Sequence, residues 1–157
     1  RTLPEIWVHG DLAVRDEAGN FALRGRSDDT LKLAGKRIGP GEIEDVIMEI
    51  PGVVEVAAIG ADDGPKGQVL VVFAVAPVTT AEMERHIFDH AAKRLGQAFR
   101  PKRVHIVTDL PRTRSAKVMR RLIRGVYSDL PLGDLSSLEN PDSLDQIKAA
   151  RTGLAST

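Results

Sequence analysis

The sequence contains no cysteine. This excludes a disulfide framework, a cysteine zinc site and a thiol nucleophile of the chain's own, so any thiol chemistry must use an imported thiol. Nor is there an excess of either charge. Lys+Arg and Asp+Glu each number 22, so the whole molecule projects no field that would draw it to nucleic acid or an anionic membrane. No apolar run approaches the length of a membrane span and no charged-then-apolar leader opens the chain, which makes a cytoplasmic setting the expectation. There is also no initiator Met: the chain begins at Arg1 and passes into the apolar run Ile6-Trp7-Val8, which reads as the start of an excised fragment.

With 157 residues, 42% of them hydrophobic, the chain can bury the core of one ordinary domain, or of a small domain with appendages. Its charge is uneven along its length. Eleven of the 22 basic residues fall between Lys93 and Arg124, where Asp109 is the only acid, so this stretch is expected to present a positive surface suited to small anionic ligands.

Residues 6–14 read as extended, and the turn Asp16–Asn20 leads into a second short strand at Phe21–Leu23, a hairpin signature. Beyond Gly35–Gly41, apolar residues at Ile43, Val46, Ile47 and Ile50 have helical spacing, and Pro51-Gly52 ends the helix. Val53–Ile59 and Gln68–Val75 are β-branched runs separated by a turn cluster and read as paired strands. Thr79 and Glu82 form a candidate capping box for a second helix with the stripe Ile87, Phe88, Ala91 and Leu95, and a third strand follows at Val104–Val107. Ser115 is a candidate cap for a third helix with Val118, Leu122 and Val126 inward and Arg120, Arg121 and Arg124 outward. The acidic tail is expected to wrap the surface, with a short helix near Ser143–Ala150. The order predicts an α+β fold: a small central sheet of about three strands covered by helices, preceded by a two-stranded hairpin.

The loop Pro111–Lys117 carries Arg112, Arg114 and Lys117, three cations that repel one another unless an anion is near; an ordinary solvated basic loop is the alternative. Gly35, Gly39 and Gly41 precede a helix start, where backbone amides and Arg37 could hold an anion, or where the glycines could simply serve a turn. His86 and His90 have a chelating spacing but no third ligand in sequence, and read as exposed helix histidines.

Taken together, His9-Gly10-Asp11-Leu12, Gly25-Arg26-Ser27-Asp28-Asp29, Leu33–Glu44 and Pro111–Arg121 closely resemble, in order and over about four fifths of the chain, the C-terminal part of the acyl- and acetyl-CoA synthetases of the adenylate-forming superfamily. The resemblance implies a mobile C-terminal lid at 28–127, a tail at 128–157, and in 1–27 the end of an N-terminal adenylation domain. It implies an AMP-forming acid:CoA ligase using ATP, CoA and Mg²⁺ in the intact enzyme on a short-chain acid such as acetate or propionate, with the isolated chain inert. By the same resemblance Lys117 would serve adenylation, Asp11 and Arg26 would contact the nucleotide, Asp28 would be the hinge, and Gly35 and Arg37 would meet CoA. The partners implied are the N-terminal adenylation domain, a carboxylic acid, and a protein lysine acyltransferase and deacylase acting on Lys117. Loading of a carrier protein in place of free CoA is the alternative. Two departures stand out. Ser115-Ala116-Lys117 replaces the usual Ser-Gly-Lys, and Ala92 occupies the place of a second CoA-contacting arginine, for which Lys93 or Arg94 would substitute.

Overall fold

Two sequence runs are apolar at nearly every position, and the structure explains why: each belongs to a strand covered on both faces. The computed structural model describes residues 10–26, 29–77 and 81–152. In it β1 (Asp11–Arg15) and β2 (Phe21–Arg26) form an antiparallel hairpin, and β3 (Leu31–Leu33) pairs with β4 (Lys36–Ile38) in a second, tighter one. Helix α1 (Pro40–Met48) follows, then β5 (Glu55–Asp62), β6 (Gln68–Val75), α2 (Ala81–Leu95), β7 (Arg103–Val107), α3 (Arg120–Ser128) and α4 (Ser143–Thr152). The main sheet has the order β5-β6-β7, antiparallel between β5 and β6 and parallel between β6 and β7.

Side chains alternate across a strand, and this alternation sorts the two runs into two cores. Val56 and Ala58 with Leu70, Val72 and Ala74 join Ile43 and Ile47 of α1, Ile87 of α2, and Leu31, Leu33 and Ile38 from the β3–β4 hairpin. Ala57, Ile59 and Ala61 with Val71 and Phe73 face the other way, against Ile123 and Tyr127 of α3 and Ile147 of α4. The α+β architecture expected from the sequence, with its three-stranded sheet and separate hairpin, is the one observed. The α2 stripe also stands: Ile87 and Ala91 are buried, and Phe88 and Leu95 pack, partly buried, against the first core.

The region of the third helix differs from expectation. Ser115 caps no helix; α3 begins at Arg120, after Met119, with no side-chain cap. Residues 111–119 instead fold back on themselves, with Arg112 bridged to Val118 and the Met119 N–H donating to the Pro111 carbonyl at 2.8 Å. The buried stripe of α3 is Leu122, Ile123 and Tyr127, while Val118 and Val126 are only partly buried. The tail helix is present as expected, and Ile147 carries it into the second core.

Candidate functional site

The Lys117 turn is a three-residue hairpin loop. The Thr113 N–H donates to the Lys117 carbonyl at 2.9 Å, the Ala116 N–H donates to the Thr113 carbonyl at 2.8 Å, and the Lys117 N–H reaches Thr113 Oγ1 at 3.2 Å. Ala116 has φ of 61°, the left-handed conformation that closes such a loop and that favours glycine. Lys117 therefore stands at the end of a β-turn, not inside a helix start; α3 begins only at Arg120. The Ser-Ala-Lys sequence concealed this turn, because the position that would announce it is alanine.

Of the three cations in the loop, two have anionic partners within the fold. Arg112 Nη2 donates to Glu55 Oε2 at 3.2 Å and to Asp109 Oδ1. Burial pushes the Glu55 carboxyl up from its ordinary value, with Arg112 acting in the opposite direction. Arg114 lies 3.5 Å from Glu139 with most of its side chain in solvent. Lys117 is exposed and forms no ion pair with any described residue. It lines a groove of about 340 Å³ with Asp29, Thr113, Val118, Met119, Arg120 and Arg121. The mutual repulsion inferred from sequence is thus relieved internally for two cations, leaving the Lys117 ammonium available to an external anion.

Arg120, expected to point outward, turns in. Its Nε donates to Glu44 Oε1 at 2.6 Å and its Nη2 to Oε2, and the Glu44 hydrogen bond raises the guanidinium pKa further. Arg121 is exposed as expected, but both of its terminal nitrogens donate to the carbonyls of Leu132 and Asp134.

The other sequence candidates lie elsewhere. Asp11 and Arg26 occupy the same rung of the β1–β2 hairpin, directly opposite one another. Asp28 lies outside the described residues, as do residues 1–9 and Thr79. Gly35 has φ of 78° and, with Ala34 at 47°, makes the two-residue turn between β3 and β4; open space surrounds the place its Cβ would occupy. The backbone alone therefore accounts for glycine here. Arg37, on β4, is exposed and forms no ion pair with a described residue. No described cavity is lined by both Lys117 and the Gly35–Arg37 hairpin.

Of the two substitutes for the missing arginine, Arg94 is committed to Glu49, whereas Lys93 is exposed beside a groove shared with His86 and His90. His90 is half-buried against Glu49 at 3.1 Å, so only His86 matches the exposed-histidine reading. Among the described residues no group of three or more His, Cys, Asp or Glu could hold a metal ion, and no helix is long and apolar enough to cross a membrane. Sequence reasoning missed Glu55, Glu139 and Asn140 as partners of the lysine turn. Nothing local to those residues marks them, since each comes from a distant segment.

The helix-covered sheet thus presents, on a basic turn, a lysine with no ion-pair partner among the described residues, and residues 42–117 match the AMP-binding enzyme C-terminal domain. The chain is similar to the 3-hydroxypropionyl-coenzyme A synthetase of Sulfurisphaera tokodaii, 41% identical over 150 residues that span 94% of this chain and 23% of that protein. It is similar also to the acetyl-coenzyme A synthetase of Pyrobaculum arsenaticum, 37% identical over 94% of this chain and 22% of that protein. Among solved structures, ATP-bound MatB from Rhodopseudomonas palustris matches with a TM-score of 0.70 and 32% identity over 78% of this chain and 24% of that one. The chain thus spans less than a quarter of the length of these curated relatives.

Proposed function

We propose that the chain is the C-terminal lid of an AMP-forming acid:CoA ligase, which activates a short-chain carboxylic acid with ATP to acyl-AMP and then passes the acyl group to the CoA thiol. The reading is supported by relatives named as acetyl-coenzyme A synthetase, 3-hydroxypropionyl-coenzyme A synthetase and propionate–CoA ligase. The observation that carries it is Lys117, the one cation of its turn with no ion-pair partner among the described residues, held on a hydrogen-bonded loop. In the adenylation step the carboxylate oxygen attacks the α-phosphorus and pyrophosphate leaves, so two anions must meet while charge builds on the phosphoryl oxygens. An ammonium delivered into a water-poor cleft stabilises that charge, and losing such a donor costs about 3 kcal/mol.

In this reading Asp11 and Arg26, opposite each other on the hairpin, face the nucleotide from 1–27, the end of the N-terminal adenylation domain. Asp28 is the hinge about which 28–127 turns, with 128–157 as its tail. Gly35 and Arg37 belong to the thioester conformation, where Arg37, which has no ion-pair partner among the described residues, meets a CoA phosphate. Mg²⁺ would enter with the nucleotide in the intact enzyme, bound largely through the substrate phosphates. The cell compartment is proposed to be the cytoplasm.

The test is pyrophosphate release and acyl-CoA formation by the full-length ligase, wild type against Lys117→Ala, over a panel of short carboxylic acids. Loss of adenylation with thioester formation from supplied acyl-AMP retained supports the reading; survival of both half-reactions refutes it. Transfer to a phosphopantetheine carrier in preference to free CoA would favour the carrier-loading alternative. The exposure of Lys117 on a turn also favours a second, compatible reading, in which a protein acyltransferase neutralises it and a deacylase restores it. Incubation with such an acyltransferase, followed by mass spectrometry of the Lys117 peptide, tests it.

A further inference from the structure

The base of the lysine turn is held by a segment from the far end of the domain. Asn140 Oδ1 accepts the Arg112 backbone N–H at 2.9 Å, while its Nδ2 donates to Asp109 Oδ2 at 2.6 Å and to the Leu110 carbonyl at 2.9 Å. The neighbouring backbone adds two more ties: the Glu139 N–H donates to the Arg112 carbonyl at 3.0 Å, and Thr113 bridges to Leu138. Asn140 is itself anchored. Its carbonyl accepts from the backbone N–H and the hydroxyl of Ser143, a buried residue at the start of α4, whose Ile147 sits in the second core.

A side-chain amide fills this site completely, because it accepts from a backbone N–H while its NH2 donates to both a carboxylate and a carbonyl, whereas a hydroxyl has one proton to give. Alanine would leave the Arg112 N–H and an Asp109 oxygen without their partner, and aspartate would set a second carboxylate against Asp109. Arg112 is fixed by the same groups, so Asn140, Asp109 and Arg112 form one unit from which the turn projects.

We propose that Asn140 is a positioning residue for Lys117, through which α4 sets where the ammonium is delivered. The inference rests on the adenylation role of Lys117. The long lysine side chain has no other described anchor, so the direction in which it leaves the domain is set by the backbone of its turn. A displacement of about 1 Å at a reacting group can cost about a hundredfold in rate.

The experiment uses the full-length ligase with Asn140→Ala, Asn140→Asp, Lys117→Ala and the Asn140→Ala/Lys117→Ala pair, following pyrophosphate release and, separately, acyl-CoA formation from supplied acyl-AMP. We expect Asn140→Ala to lower kcat for adenylation by about ten- to a hundredfold while the thioester step stays within about twofold. The double variant should be no slower than Lys117→Ala alone, because Asn140 acts only through the lysine. Asn140→Asp matches the wild-type side chain in size and carries the same expectation should the alanine variant fail to fold. Equal losses in both half-reactions, a further loss in the double variant, or unchanged adenylation would each overturn the inference. Intact adenylation in Lys117→Ala alone would instead overturn the functional reading beneath it.

Discussion

Arg120 and Glu44 join helices that are far apart in sequence, and the same Glu44 Oε1 that accepts from Arg120 Nε at 2.6 Å also accepts the Ala58 N–H of β5 at 2.9 Å. Glu44 is buried and Arg120 half-buried, so one carboxylate satisfies a guanidinium and an amide that water reaches poorly. Glu44→Ala strands both. It is expected to destabilise the domain by about 2–3 kcal/mol, measured by urea denaturation; a change below about 0.5 kcal/mol would class the pair with exposed ion pairs.

Arg112 and Arg114 are near neighbours with opposite expectations. Arg114 is 86% exposed, and its Glu139 contact is long, so Arg114→Ala should change stability by no more than about 0.5 kcal/mol. Arg112→Ala deprives Glu55 and Asp109 of their cation and should cost about 2 kcal/mol. Parallel denaturant titrations decide whether the two differ.

Ala116 holds a left-handed backbone at φ of 61°, where a β-carbon is strained. Ala116→Gly is expected to stabilise the fold by about 1 kcal/mol, offset in part by the greater freedom of glycine in the unfolded chain. A lower thermal midpoint in the variant would show that the alanine fits this turn without strain.

Gly35→Ala separates a backbone requirement from a ligand requirement. The added methyl meets open space but must adopt φ of 78°, so stability should fall by about 1–2 kcal/mol. If Gly35 also lines the path of the thiol arm, acyl transfer from acyl-AMP should fall further than adenylation at a temperature where both proteins are folded. Equal rates in the two half-reactions would reduce Gly35 to a turn residue.

His105 stacks on Phe73 with ring centroids 5.0 Å apart, and its Nε2 lies 3.4 Å from the Tyr127 hydroxyl. Burial, assisted by Arg103, holds its pKa at about 4, below the ordinary 6.5. The unfolded chain therefore binds this proton more readily than the folded one, so stability should be lost as pH falls from about 6.5 toward 4. His105→Phe should flatten that part of the stability-versus-pH curve; an unchanged curve would assign the loss to other groups.

The strands and the first two helices were legible because their signals are local: the β-branched runs Val53–Ile59 and Gln68–Val75 on either side of a turn cluster, and the stripe of Ile87, Phe88, Ala91 and Leu95. The lysine turn was misread for an equally local reason. Ser115 looks like a helix cap, and the alanine at 116 hides the left-handed position that a glycine would have displayed. Lys117 itself could be picked out by charge, but its isolation could not, since Glu55 and Glu139, which neutralise its neighbours, approach from opposite ends of the domain. Arg120 was assigned to solvent by helical periodicity, yet tertiary contact with Glu44 decides where it goes.

The family match ends at Lys117, but the chain's stability does not. Leu122, Ile123, Tyr127 and Ile147, all beyond that point, are buried, and three of them form the helical side of the second core. A fragment cut at the boundary of the match would expose Phe73 and the face of the sheet that α3 and α4 cover, and would leave the lysine turn without Leu138–Asn140 and the α4 helix behind them. The stretch that carries the family signature is therefore not an autonomous folding unit; what folds is the signature together with the less recognisable segment beyond Lys117.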